Sequence, residues 1–202
     1  MSHGRASRRR FTLLAAPAAA AALALTLSAC GNGDETGGGG DTNFVTGTGG
    51  ISTVAKGDRA TAPKLDGESL DGEHLDLADY KGKVVVLNAW GSWCGPCRLE
   101  AKYFTKVAKA TADQGVQFVG INTRDPRRGP AVSFEKDYGV TYPSFFDPTG
   151  KLLLRFPKGT LNLQTIPSTV VIDRNGKIAA RSLEALDDTK LHEMIDPLIA
   201  EK

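Results

Sequence analysis

The chain has 202 residues, with 25 Lys and Arg against 23 Asp and Glu, three His and three Cys. That length accommodates one domain with extensions, and 41% hydrophobic with 24% charged residues excludes both a fully disordered chain and a multi-pass membrane protein. Arg5, Arg8, Arg9 and Arg10 fall in residues 1–29 with no acid, leaving 21 bases against 23 acids beyond them, so the charge offers no case for a nucleic-acid partner.

Arg8-Arg9-Arg10 precede an apolar, alanine-rich run from Phe11 to Leu27 and then small residues, the order of a secretory signal peptide over residues 1–29. Leu27-Ser28-Ala29-Cys30 resembles a bacterial lipobox, which would make Cys30 the acylated first residue of the mature chain. The alternative is an uncleaved anchor, because the 17-residue run stands at the lower limit for spanning a bilayer. Ser7-Arg8-Arg9-Arg10-Phe11 resembles a twin-arginine export signal, though Thr12-Leu13 depart from its usual continuation. The general secretory route is the other option, and both end outside the cytoplasm. Residues 30–57 read as a flexible tether, since nine of the twenty residues 31–50 are Gly. Such a tether would hold a lipid-anchored domain off the membrane or carry it through a cell wall.

Residues 58–202 read as one α/β domain. Asp71-Gly72 marks a hairpin turn, with Leu75 and Leu77 alternating with polar neighbours. Val84-Val85-Val86-Leu87 is the continuous apolar run of a strand buried on both faces. Leu99, Tyr103, Val107 and Ala110 then fall at helical spacing, Gly115 stops that helix, and Val116–Ile121 is the next strand. A weaker helix is predicted over 130–138. Phe145-Phe146 and Leu152-Leu153-Leu154 are predicted as strands around the turn Asp147-Pro148-Thr149-Gly150. Thr169–Ile172 and Lys177–Ala179 flank Asn175-Gly176, a strong hairpin signal. A last amphipathic helix carries Leu191, Ile195, Leu198 and Ile199, with a kink or frayed end at Pro197. This alternation argues a mixed sheet covered by helices.

The chemistry is concentrated at Trp93-Cys94-Gly95-Pro96-Cys97. Two Cys at a strand-to-helix junction can close a small reversible disulfide, and the helix N-terminus favours a thiolate on the first. Cys94 is therefore the expected nucleophile, and Cys97, one turn on, the resolving thiol. Pro96 suits the first turn of the helix. A structural zinc site would need four ligands, yet no further Cys is near, and His74 and His192 lie 20 and 95 residues from the pair. No metal site is expected.

The segment Lys81–Glu100, containing Trp-Cys-Gly-Pro-Cys, and Thr165-Ile166-Pro167-Ser168-Thr169-Val170-Val171-Ile172-Asp173 are similar to the membrane-anchored oxidoreductases of the TlpA/ResA type. The resemblance runs from about Asp58 to the C-terminus. It implies a thioredoxin fold: a mixed central sheet flanked by helices, with an N-terminal β-hairpin extension and a central insert near residues 124–143. It further implies that Ile166-Pro167 is a cis bond presenting the backbone of Ile166 to a substrate chain beside Trp93 and Pro96. Glu100, three residues after Cys97, matches the family's active-site glutamate and would exchange a proton with Cys97; otherwise it is a solvated surface residue. Asn88 stands where thioredoxins carry a buried Asp, and Asn cannot titrate. Lys102 replaces a common Pro and predicts a straighter helix. Arg124-Asp125-Pro126-Arg127-Arg128 is basic, a composition that more often marks a solvated loop than a docking site.

The leading reading is a monomeric, lipid-anchored, extracytoplasmic thiol–disulfide oxidoreductase using the Cys94/Cys97 pair and no other cofactor. The resemblance implies a reductant kept reduced by a membrane thiol donor and acting on oxidised client proteins, with apocytochrome c the expected client. A thiol peroxidase on the same fold would need Thr at the position of Gly91. A copper or haem chaperone would use the two Cys as ligands, usually with a nearby His or Met.

Overall fold

The protein is described here by a computed structural model covering residues 42–201. The signal-peptide and export readings, Cys30 and the glycine-rich residues up to 41 lie outside the described residues. Among the described residues, no helix is long and apolar enough to cross a membrane.

The chain forms β1 (Val45–Thr46), β2 (Ile51–Thr53), β3 (Asp66–Glu68), β4 (His74–Asp76), β5 (Val84–Trp90) and α1 (Gly95–Thr111). Then follow β6 (Val116–Thr123), α2 (Arg128–Tyr138), β7 (Ser144–Asp147), β8 (Ser168–Ile172), β9 (Ile178–Ser182) and α3 (Asp188–Ala200). Seven strands make one mixed sheet in the order β1-β2-β9-β8-β5-β6-β7, and β3 with β4 makes a separate hairpin.

β5 is the centre of that sheet, parallel to β6 and antiparallel to β8. All seven of its residues are buried, so it carries apolar side chains on both faces rather than an alternation with polar ones. Val84 and Val86 face one core with Phe104 and Val107 of α1 and Leu191, Met194 and Ile195 of α3. Val85, Leu87 and Ala89 face the other, which is closed by Leu65, Leu75, Phe145, Leu153 and Phe156. Trp90 continues the helical side and stacks on Phe134 of α2, with ring centroids 4.5 Å apart. Close packing there demands glycine at position 120 of β6, because a Cβ would meet Ser144 Oγ and come within 2.7 Å of Trp90 Nε1.

Most predicted elements form where their periodicity places them, including the Asp71-Gly72 hairpin, α1 as one continuous helix and the Asn175-Gly176 turn. Gly115, at φ 76°, ends the turn that follows α1. Pro197 sits in the last turn of α3, where it terminates the helix three residues on.

Two expectations are corrected. The domain begins well before residue 58, since β2 pairs with β9 and buries Ile51, while Phe44 and Val54 enter the core. A few apolar residues suffice there because they add to the exposed edge of an existing sheet; the surrounding glycines concealed them in the sequence. Leu152-Leu153-Leu154 is also not a strand. The Asp147 carboxylate accepts from the Lys151 and Leu152 amides, turning the chain so that the adjacent Leu152 and Leu153 are both buried and Leu154 is exposed.

Arg59 ties the two ends of the domain together. Its guanidinium donates to Asp173 (2.9 Å) and, through both terminal nitrogens, to Glu201 (2.8 and 2.7 Å). These carboxylates push the Arg59 pKa still higher, with the Glu201 bond the larger cause. Arg59→Met should cost about 3 kcal/mol of stability, because it removes the cation from the buried Asp173 carboxylate and leaves it the Asn175 and Lys177 amides. Denaturant unfolding measures that loss, and the potential of the distant disulfide should stay unchanged.

Candidate active site

β5 delivers the chain to Gly91-Ser92-Trp93, and α1 starts immediately after Cys94. Cys94 is the N-cap: its backbone is extended, and its Sγ lies 3.2 Å from the amide nitrogen of Cys97. That N–H is one of the helix's unpaired donors, so it and the helix dipole would stabilise a thiolate once the pair is reduced. Pro96 occupies the first turn and leaves no further donor unmatched. Cys94 and Cys97 are joined as a disulfide and are only 3% and 1% exposed, beside Trp93 at 53%.

The loop ahead of the disulfide is held at three atoms of Ser92. Its amide and hydroxyl donate to the two oxygens of Asp125 at 2.8 and 2.6 Å, and its carbonyl accepts two bonds from Arg98 at 3.1 and 2.8 Å. Asn122 of β6 donates to the same carboxylate at 2.7 Å. Gly91 lies so close to Trp93 and Ile166 that a Cβ would come within 2.9 Å of the Trp93 ring nitrogen. A Thr at this position, as in a peroxidase, would require the Trp93 ring and the Ile166 side chain to shift.

On the opposite side the chain enters β8 through a cis Ile166–Pro167 bond, and the Ile166 carbonyl oxygen lies 3.7 Å from Cys94 Sγ. Ile166 thus meets Cys94, with Pro167 next to it in the chain and Trp93 and Pro96 adjoining the two cysteines.

Glu100 faces inward from the second turn of α1 and is 2% exposed, not a solvated surface residue. Asn88 of β5 donates to its Oε1 at 2.9 Å and the amide of Leu186 to its Oε2 at 3.0 Å. Burial raises its pKa to about 8, against the opposing pull of these two bonds. Glu100 and Cys97 line the same cavity of about 10 Å³ together with Asn88 and Tyr142, space for roughly one water.

Asp125, Ser92 and the Leu186 amide had no signal in the sequence. An Asp between Arg124 and Pro126 reads as solvated, and only the return of β6 beside β5 brings it under the disulfide loop. Among the described residues, no group of three His, Cys, Asp or Glu is placed to hold a metal ion.

A thioredoxin-type sheet carrying a two-cysteine disulfide at a helix N-terminus defines a thiol–disulfide oxidoreductase. Residues 55–195 match the Redoxin family, and the chain belongs to that family. It is 34% identical over 119 residues to the thiol-disulfide oxidoreductase ResA of Geobacillus thermodenitrificans, covering 59% of this chain and 65% of that relative, just under two thirds. Among solved structures it is similar to a DsbF homologue from Corynebacterium diphtheriae, with TM-score 0.69 and 38% identity over 75% of this chain and 95% of that one. It is also similar to a secreted thiol-disulfide isomerase from Corynebacterium glutamicum, with TM-score 0.71 and 32% identity over 81% and 100% of the two chains. These relatives agree with the resemblance drawn from the residues.

Glu100 makes stability depend on pH with a defined sign. Its pKa is about 8 folded and 4.5 when free, so the folded state binds the extra proton between those values. The stability it confers is complete below about pH 4.5 and is lost as pH rises towards 8. The melting temperature of Glu100→Gln should therefore fall less than that of the parent from about pH 5 to pH 8. Parallel melting curves for the two proteins would contradict the buried, protonated carboxyl.

Proposed function

We propose that the protein is an extracytoplasmic, membrane-anchored reductant of protein disulfides, attached through acylated Cys30 and serving oxidised client proteins of the apocytochrome c kind. The observation that carries the mechanism is the buried Glu100 sharing a cavity with Cys97 behind the Cys94 disulfide. In the reduced protein, the Cys94 thiolate attacks one sulfur of a client disulfide. A Cys94–client disulfide forms and the other client sulfur leaves as a thiolate, which takes up a proton. Cys97 then passes its proton to Glu100 in the minor ionised fraction that a pKa of about 8 leaves near neutral pH, and attacks Cys94 Sγ. The second client sulfur leaves and is protonated, so the client gains two electrons and two protons while Cys94 and Cys97 are oxidised to the disulfide. A membrane dithiol donor runs the same exchange in reverse, with Glu100 returning its proton to the departing Cys97. A carboxyl near pKa 8 is suited to both directions, because it is close to the ordinary thiol value of about 8.5.

The reducing direction is supported by the Gly-Pro dipeptide between the cysteines, shared with thioredoxin, whose potential is near about −270 mV against about −120 mV for the oxidant DsbA. The twin-arginine or general secretory route would export the chain, and the secreted character of the C. glutamicum relative agrees with a site outside the cytoplasm.

The test is a redox titration of the whole chain, read by Trp93 fluorescence. A potential at or below roughly −220 mV supports a reductant, and one near about −120 mV would reverse the assigned direction. Cys94→Ser should abolish disulfide reduction, and Cys97→Ser should accumulate the mixed disulfide; equal residual turnover in both would remove the assigned roles. Cys30→Ser should move the protein from the membrane to the soluble fraction, whereas a membrane-bound variant would favour an uncleaved helix.

A further inference from the structure

The basic segment after β6 is not uniformly solvated. Asp125, its one acid, is turned inward and engaged by Ser92 and Asn122. Arg128 is paired with Glu68 at 2.6 Å and lies over the Phe146 ring. Arg124 does something different. Its backbone sits at φ 59°, a left-handed conformation unusual for a side chain of this kind, between the buried Thr123 and Asp125. From there its guanidinium lies 5.2 Å from the centre of the Trp93 ring and donates to the Gln164 carbonyl at 3.3 Å.

Arg124 therefore bridges the two segments that flank the reactive sulfur, Trp93 immediately before Cys94 and Gln164 two residues before Ile166. A client disulfide has to bring its sulfur in line with Cys94 Sγ, so the residues beside the client's cysteine pass over this bridge. Among the described residues, one of the five guanidinium donors of Arg124 is engaged and no carboxylate pairs with it. The stacked group is already ordered, so a client carboxylate meeting it loses little further side-chain freedom.

We propose that Arg124 is a specificity-determining residue that selects client disulfides with an acidic side chain one or two positions from the attacked cysteine. This rests on the reading of the chain as a reductant of client proteins and adds the chemistry by which a client is chosen.

The experiment compares three disulfide-bonded peptides that differ only in carrying Glu, Gln or Lys beside the cysteine, reduced by the full-length protein with a dithiol as donor. At low ionic strength kcat/KM should favour Glu over Lys about three- to fivefold, the range of an exposed but pre-ordered ion pair, and the ratio should collapse towards one in high salt. The preference should vanish in Arg124→Gln and invert in Arg124→Glu. Because each ratio is taken within one variant, a general loss of activity cancels. Arg127→Gln, which alters the neighbouring exposed arginine, should keep the preference. An unchanged ratio in Arg124→Gln, or an equal loss in Arg127→Gln, overturns the proposal in favour of diffuse positive charge or none. Failure of the parent protein to reduce even the Gln peptide would instead bring down the reductant reading on which it stands.

Discussion

The site depends on one carboxyl kept out of water. Glu100 is pinned between Asn88 of the central strand and the amide of Leu186 ahead of the last helix, so a single side chain ties β5, α1 and the approach to α3 together. Burying an ionisable group unpaired is costly, and the protein meets that cost by supplying two hydrogen bonds and letting the group hold its proton to about pH 8. The same burial places the Glu100 carboxyl on the cavity that Cys97 also lines, which is the basis of the proton role proposed for it.

The disulfide is built on the complementary principle of rigid support. The sulfur of Cys94 sits at the helix N-terminus, where backbone donors are available, while its preceding loop is fastened at Ser92 from three directions. The reacting atoms are thus held by β5, β6 and α1 together, which is what a reaction needing an in-line approach of three sulfurs requires. Trp93 is the exception, left half exposed next to Cys94 with the Arg124 guanidinium over its ring. Burial therefore changes sharply between two adjacent residues, from the half-exposed Trp93 to the enclosed Cys94.

Position 88 shows how these parts compensate for one another. Asn in place of a titratable residue removes a proton acceptor from the strand, but its amide becomes the donor that orients Glu100, and it also reaches Thr169 of β8 at 3.2 Å. On the proposed mechanism, proton handling thus rests with the helix rather than the strand.

Much of this was legible in the sequence because it is written in short-range patterns. The unbroken apolar run of β5 reports burial on both faces, the turn dipeptides place the hairpins, and Cys-Gly-Pro-Cys after a strand places a nucleophile at a helix N-terminus. Other features depend on residues far apart in the chain. Nothing local reveals that Phe44 and Ile51 join a sheet edge formed by β9, that Leu152 and Leu153 are turned by Asp147, or that Asp125 reaches Ser92 across 33 residues. Sequence determined which residues can do the chemistry and which segments can be strands or helices. Only the tertiary structure decided which polar groups are withdrawn from water and which are bonded to one another, since burial and hydrogen bonding are set by the neighbours that folding brings in.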